Sequence, residues 1–292
     1  MPELSPTELD SARSLIQTAF AEDLADSEDI TTNSLVPVTA TGSINVVSRE
    51  SGVLSGCVVA KEIFEIFDSQ IQFESLLHDG AKLEPGSVIA KISGSMRSIL
   101  TAERTALNFL TMLSGTASLT RKFVDAVAGT EAKILDTRKT LPGIRELQKF
   151  AVRCGGGTNH RMGLFDAVLI KDNHLAWWSG DGDNTLANAV ASSRKMVASE
   201  VIVEIEVDSL DQFRDAVQGD PDIVLLDNMT LEQLREAVRF RDQNKPAVQL
   251  EASGGVTLKT VADIAATGVD RISVGALTHS AVALDIGFDW RS

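Results

Sequence analysis

The chain has no tyrosine and only two cysteines, and it is short of basic residues: 27 Lys and Arg stand against 41 Asp and Glu, a formal net charge of −14. Each shortage removes a class of protein. Cys57 and Cys154 cannot build a disulfide framework and have no metal-ligand spacing, so a reducing cytoplasm is the expected setting. An acidic chain without basic stretches interleaved with aromatics does not fit a nucleic-acid binder. No apolar stretch approaches the ~20 residues of a membrane span. The opening residues MPELSPTELD lack the basic and apolar regions of a signal peptide. Neither a Walker loop nor a GxGxxG fingerprint occurs, which removes those two routes to nucleotide binding. What remains is 292 residues, 43% hydrophobic and 23% charged, enough for one large α/β domain or two domains.

The apolar pattern changes character along the chain. Leu9, Ala12, Leu15, Ile16, Ala19, Phe20 and Leu24 share one helical face, an amphipathic opening helix. From Gly42 short strand-like pieces (INVVS, GVLSGCVV) precede a helical KEIFEIF, and residues 71–100 are strand-rich. Within them DGAKLEPGSVIAKISG has the rhythm of half a lipoyl-type sandwich but lacks the modifiable lysine hairpin, so it reads as structure. A long helix is predicted from Thr101 to about Ala128, with Gly129 as its stop. From residue 132 six apolar runs follow: KILDTRK, AVLIKDNH, VIVEIEVDS, IVLLDNMT, VQLEASGGVT and RISVGALTHS. Most are followed by a helical segment, the signature of βα units with parallel strands buried on both faces. A (β/α) barrel somewhat short of eight strands is predicted, with its chemistry at the carboxyl ends of the strands.

Arg138, Lys139, Lys171, Glu204 or Glu206, Asp227, Ser253 and Ser273 fall at those ends. The stretch from Ile134 to His174 concentrates seven Arg and Lys residues against four acids, with His160 and Arg161 just before a strand. Several cations in one barrel mouth repel each other unless an anion offsets them. Arg145, Lys149 and Arg153 recur at helical spacing and read instead as a solvated helix face. Ser253-Gly254-Gly255 and Ser273-Val274-Gly275-Ala276 are paired glycine-bearing strand ends of the kind that seat a phosphate through backbone N–H groups. Glu204 and Glu206 lie on the same side of their strand, so at least one faces the mouth, as a ligand or as a salt-bridge partner. His279 either touches the phosphate or begins a helix, His78 reads as a loop residue, and Trp177-Trp178 beside SGDGDN reads as a surface loop or a lid.

The motif DTRKTLPGIRELQKFAVRCGGGTNHRMGLFDAVLIKDNH closely resembles the signature of the quinolinate phosphoribosyltransferases. ERTALNFLTMLSG, VEIEVDS, LLDNMT, LEASGGV and ISVGALTHSAVALDIG extend the likeness over nearly the whole chain. The resemblance implies an N-terminal α/β sandwich (residues 1–115), an open, incomplete α/β barrel (116–279), and C-terminal residues 280–292 returning to the sandwich. It also implies transfer of phosphoribosyl from phosphoribosyl pyrophosphate to quinolinate with decarboxylation, giving nicotinate mononucleotide, pyrophosphate and carbon dioxide for NAD synthesis. Mg²⁺ is implied, with Glu204 and Asp227 as its ligands. So is a homodimer, alone or within a higher oligomer, whose Arg104 reaches the partner's site. On this basis Arg138, Lys139, Arg161 and the partner's Arg104 grip the pyridine carboxylates with His160 in support, and Thr137 is a further substrate-binding residue. Lys171 serves the ribose–pyrophosphate junction, and Glu204 and Asp227 the ribose. Ser253, Gly254, Gly255, Val274, Gly275, Ala276 and His279 hold the 5-phosphate. The rivals are a transport-associated paralogue of the same fold, a Schiff-base aldolase using Lys139 or Lys171, and a non-catalytic anion binder.

Overall fold

The computed structural model describes residues 2–178 and 184–290, so most of the SGDGDN segment beside Trp178 lies outside the described residues. Twelve strands follow in chain order: β1 (Thr41–Ser48), β2 (Gly52–Val53), β3 (Gln72–Ser75), β4 (Lys82–Leu83), β5 (Val88–Ser95), β6 (Lys133–Leu135), β7 (Ala167–Ile170), β8 (Ile202–Val207), β9 (Ile223–Asp227), β10 (Gln249–Ser253), β11 (Arg271–Ser273) and β12 (Ile286–Trp290). The chain divides into two compact units, residues 1–121 with 139–157 and 276–292, and residues 122–138 with 158–275. Among the described residues no helix is long and apolar enough to cross a membrane.

The first unit is built on an antiparallel sheet in the order β12-β1-β5-β3, so the C-terminal strand returns to an N-terminal sheet. Alternation along β1 and β5 turns Ile44, Val46, Ala90 and Ile92 inward. They pack into one core with Ile63 and Phe64 of the helix Cys57–Phe67 and Leu110 of the long helix Met96–Ala126. That long helix starts five residues before the predicted Thr101, and Gly129 beyond it takes a positive φ of 89°. The helix Arg145–Cys154, expected to be solvated, is largely buried in this unit. Lys149 is fully buried, and Arg153 binds Glu8 through two bonds of 2.7 and 2.9 Å. Charge spacing alone could not show this, because the face that buries them belongs to a helix more than a hundred residues earlier.

Glu8 serves two structures at once. It closes the capping box of the opening helix Pro6–Leu24, accepting the Ser5 N–H at 2.8 Å. Its carboxylate also receives the Arg153 fork.

The second unit is a six-stranded parallel sheet in the order β6-β11-β10-β9-β8-β7. All six apolar runs seen in the sequence become strands. Side-chain caps start their helices: Thr185 before Leu186–Met196, Ser209 before Leu210–Ala216, and Thr230, with Gln233 completing a capping box, before Leu231–Asn244. No ladder joins β6 to β7 among the described residues, so the barrel is open between them. Thr158 instead lies against β6, donating to Ile134 O at 2.8 Å. The predicted open, incomplete α/β barrel is the fold observed.

Burial alone would raise the Glu8 pKa, but the Arg153 bonds and the Ser5 N–H outweigh it and hold it below the ordinary value. A lowered folded pKa means stability that is present above the unfolded value and is lost as pH falls through the folded one. Glu8→Gln is expected to cost about 1.5–3 kcal/mol at neutral pH. Denaturant melts should show that difference narrowing as pH falls below about 4.5.

Candidate active site

The carboxyl ends of the parallel strands gather the chemistry. Lys171, directly after β7, makes an ion pair with Glu206, the penultimate residue of β8. Asp227 ends β9 with its side chain half-buried, accepting from Asn228 Nδ2 at 2.7 Å. Asn228 has a positive φ of 54°, a conformation that asparagine tolerates better than most residues. Its N–H donates to Ser253 O at 2.9 Å, and its amide lies over Gly254. Gly254 itself has φ 95°, and a Cβ there would meet Asn228 Oδ1 at 2.2 Å. Asn228 therefore ties the strand-end acid to the first glycine loop. At the end of β11, Ser273 Oγ is buried without a hydrogen-bond partner among the described residues. Val274 donates its N–H to Leu135 O at 2.9 Å, which fixes the backbone just after this strand end.

Two arginines flank the gap in the barrel: Arg138 follows β6 and Arg161 precedes β7. Arg161 donates through Nη1 to Ala167 O at 3.0 Å. Its Nε is buried and unpartnered among the described residues, as is Arg138 Nε. Burial, then the charge of Arg138, pulls the Arg161 pKa below its ordinary value. Two neighbouring guanidiniums with open, desolvated donors are unfavourable alone. They are well suited to a planar carboxylate, which takes such forks bidentately.

Below the mouth lies a buried network that corrects the sequence reading. Glu204 sits mid-strand on β8 and is 1% exposed, so it is not the strand-end acid; Glu206 is. Glu204 Oε2 and Glu251 Oε1 each stand 3.3 Å from His160 Nε2. Arg271 Nε donates to the other oxygen of Glu251 at 2.7 Å. His160 Nδ1 accepts the N–H of Arg161 at 2.7 Å. Both ring nitrogens are thus engaged inside the protein, and His160 supports the grip from behind without offering a ring nitrogen to a ligand.

Burial alone would lower the His160 pKa, but hydrogen bonds and charges from Glu204 and Glu251 push it up to about 9. The Arg161 N–H opposes this, because it needs a free Nδ1 lone pair. That lone pair leaves a ring proton on Nε2, facing both carboxylates. Burial raises the Glu204 pKa, whereas Glu251 is held low by His160 and Arg271 despite its own burial. The His160, Glu204 and Glu251 donor atoms lie within 4.8 Å of one another, as metal ligands would. Arg271 already balances the ionised carboxylate, so a divalent cation would add uncompensated charge.

The remaining predicted residues are placed as follows. Thr137 lies in the turn after β6, between the buried Asp136 and Arg138. Gly255 adopts φ 58°, and Gly275 follows Val274 at the close of the second unit. Arg104, Lys139, Ala276 and His279 belong to the first unit. Arg104 and Lys139 are exposed. Lys139 O accepts from Thr278 Oγ1 at 2.8 Å. Gln148 braces the same loop by accepting from Leu141 N and donating to Thr278 O. His279 ends the short helix Ala276–His279 and bonds Ser280 at 2.6 Å. The sequence reading missed Asp136, Asn228, Glu251 and Arg271. Asp136 is fully buried and accepts from Asn159 Nδ2 at 2.6 Å and His160 N at 2.9 Å. An available signal for two of them was the lone acid in KILDTRK and in VQLEASGGVT, since such a residue inside an apolar run must find an internal partner.

An open parallel barrel with buried, open arginine Nε donors and glycine-bearing strand ends is a scaffold suited to an enzyme with anionic substrates. Residues 116–289 match the C-terminal domain of quinolinate phosphoribosyl transferase, and residues 29–114 match its N-terminal domain. The chain is 46% identical over 290 residues to the nicotinate-nucleotide pyrophosphorylase [carboxylating] of Mycobacterium leprae, covering 98% of this chain and 99% of that protein. It is 37% identical to quinolinate phosphoribosyltransferase [decarboxylating] 1b of Nicotiana tabacum, covering 94% and 81% of the two chains. The solved nicotinate-nucleotide pyrophosphorylase of Francisella tularensis superposes with a TM-score of 0.90 at 40% identity, covering 99% of this chain and 98% of that one. The chain belongs to the quinolinate phosphoribosyltransferase family, and is thus an enzyme of the pentosyltransferase class.

Gly254→Ala tests the tie between the loops. The added methyl must displace the Asn228 amide and adopt a strained positive φ. A loss of about 1–3 kcal/mol is expected in denaturant melts. An unchanged midpoint would show that the loop yields freely.

Proposed function

We propose that the enzyme joins quinolinate to phosphoribosyl pyrophosphate, releasing pyrophosphate and carbon dioxide and forming nicotinate mononucleotide for NAD synthesis. The observation that carries this reading is the pair of buried, unpartnered Nε donors on Arg138 and Arg161. A pyridine with two adjacent carboxylates is a dianion that answers both. Thr137 and Lys139 complete the grip. Holding two polyanions together is the main task, because aligning the ring nitrogen with the ribose carbon supplies much of the acceleration.

Lys171 lies at the ribose–pyrophosphate junction, held by Glu206, and meets the charge that develops on the leaving group. This ion pair suits a fixed cation better than the free amine of a Schiff-base aldolase. Asp227 faces the ribose hydroxyls. Ser253, Gly254, Gly255, Ser273, Gly275 and Ala276 seat the 5-phosphate, with His279 at the edge of the seat. Of the two acids named for Mg²⁺, Asp227 has a half-buried carboxylate at a strand end, a hard oxygen donor that fits the ion. Glu204 does not fit, being inside the barrel and bound to His160. Bound Mg²⁺ would neutralise pyrophosphate charge, with substrate oxygens and water as its other ligands. After glycosylation the ring nitrogen is cationic and stabilises, as an ylide, the electron pair left on the neighbouring carbon when the carboxylate departs as carbon dioxide. A proton from water then takes its place. The protein need only orient that carboxylate.

The working assembly is a homodimer in the cytoplasm. Ile30, Leu35 and Val38 of the first unit and Leu164, Phe165 and Trp177 of the second are strongly exposed apolar side chains, which a second copy would cover. Exposed Arg104 then serves the partner's site. The buried, free Cys57 and Cys154 suit a reducing compartment, and the acidic surface gives no grip on nucleic acid or anionic membrane.

Incubation with quinolinate, phosphoribosyl pyrophosphate and Mg²⁺ should yield nicotinate mononucleotide by chromatography. Folded protein without product above background would sink the reading. Arg104→Ala and Lys139→Ala should each be nearly inactive. Mixing them should restore activity, through hybrids carrying one intact site, if Arg104 acts across the dimer. No recovery in verified hybrids would place Arg104 in its own subunit's site.

A further inference from the structure

We infer that Glu204 is a positioning residue that acts through His160 to aim Arg161 at the substrate. The inference rests on the function proposed above and deepens its account of the pyridine grip. Glu204 and Glu251 come from strands separated by β9, yet both reach the same imidazole nitrogen, so they share one face of the sheet. Arg271, from β11, fastens Glu251 on that face. Two carboxylates stand 3.3 Å from the imidazole Nε2, while its Nδ1 takes the main-chain N–H of Arg161. Asp136 holds the preceding peptide through His160 N and Asn159 Nδ2. The peptide that launches the Arg161 side chain is therefore fixed from both ends.

Beyond that peptide the Arg161 guanidinium has one internal anchor, Ala167 O, and its Nε is left open. Its direction depends on where its backbone is held. A fixed backbone with an open guanidinium edge is the arrangement expected of a preorganised carboxylate receptor. A cavity of about 500 Å³, lined by His160, Arg161, Glu204 and Arg271 and by the first residues of β7, β8 and β9, lies on the other side of the network.

Glu204→Gln keeps the shape of the side chain and weakens its hold on the Nε2 proton. The quinolinate KM should rise about tenfold, the scale expected when a substrate-positioning group shifts by a fraction of an ångström. The KM for phosphoribosyl pyrophosphate should stay within about twofold, because its proposed 5-phosphate seat lies at the ends of β10 and β11, away from the Arg161 peptide. A purely structural role would lower thermal stability and leave both KM values alone. Unchanged KM values, or equal rises in both, would overturn the inference.

A second measurement does not depend on the variant folding. In ¹⁵N-histidine-labelled wild type, with four histidines, the His160 ring is assigned by loss of its signal in His160→Asn. It should appear as a fixed tautomer, protonated at Nε2 and bare at Nδ1. A ring protonated at Nδ1, or one averaging between tautomers, would overturn the proposal. This readout requires no turnover, so an inactive wild type with a fixed Nε2–H ring would discredit the functional reading separately from the geometry of the network.

Discussion

The second unit depends on placing charge inside a barrel without leaving any of it uncompensated. Parallel barrels are commonly filled by layers of branched apolar side chains. Here Glu204, Glu251 and Arg271 project from three strands onto one face and meet His160. Their charges sum to zero whether the shared proton sits on His160 or on Glu204, and that neutrality makes burial tolerable. Removing one member would strand its partners, and an unpaired buried charge costs about 3–5 kcal/mol. A hydrophobic filling of equal volume could stabilise the barrel as well or better. It would offer nothing directional to the loop above. The retained charge fits a need for orientation more than a need for stability.

That constraint orders the mouth. Carboxylates on the inner face hold a histidine, which holds the backbone of Arg161, whose guanidinium remains open. At the rim, Glu206 holds Lys171, and Asn228 holds both Asp227 and the Gly254 loop. The groups proposed to touch substrate are each supported by a residue that does not. Such second layers are what keep a site within the fraction of an ångström that alignment demands. They also explain how an acidic protein keeps a cationic mouth. The buried acids hold His160 and Arg271, the exposed acids set the net charge, and Arg138 and Arg161 each keep a buried Nε donor open.

Much of this was legible in the sequence because its physics is local. Six apolar runs ending in polar or glycine residues predicted six parallel strands, since a strand buried on both faces has no other way to read. The cations after β6 and β7 and the glycines after β10 and β11 were placed by position alone. The misassignments arose where the deciding partner is distant in sequence. Glu204 and Glu206 look equivalent by alternation, and only the strand's true end, with Lys171 beside Glu206, separates them. Lys149 and Arg153 have the spacing of a solvated face, yet Glu8 and the surrounding core bury that face. Asn228 follows a strand-end acid in a way that suggests an ordinary turn. Its positive φ and its contact with Gly254, 26 positions later, are tertiary facts.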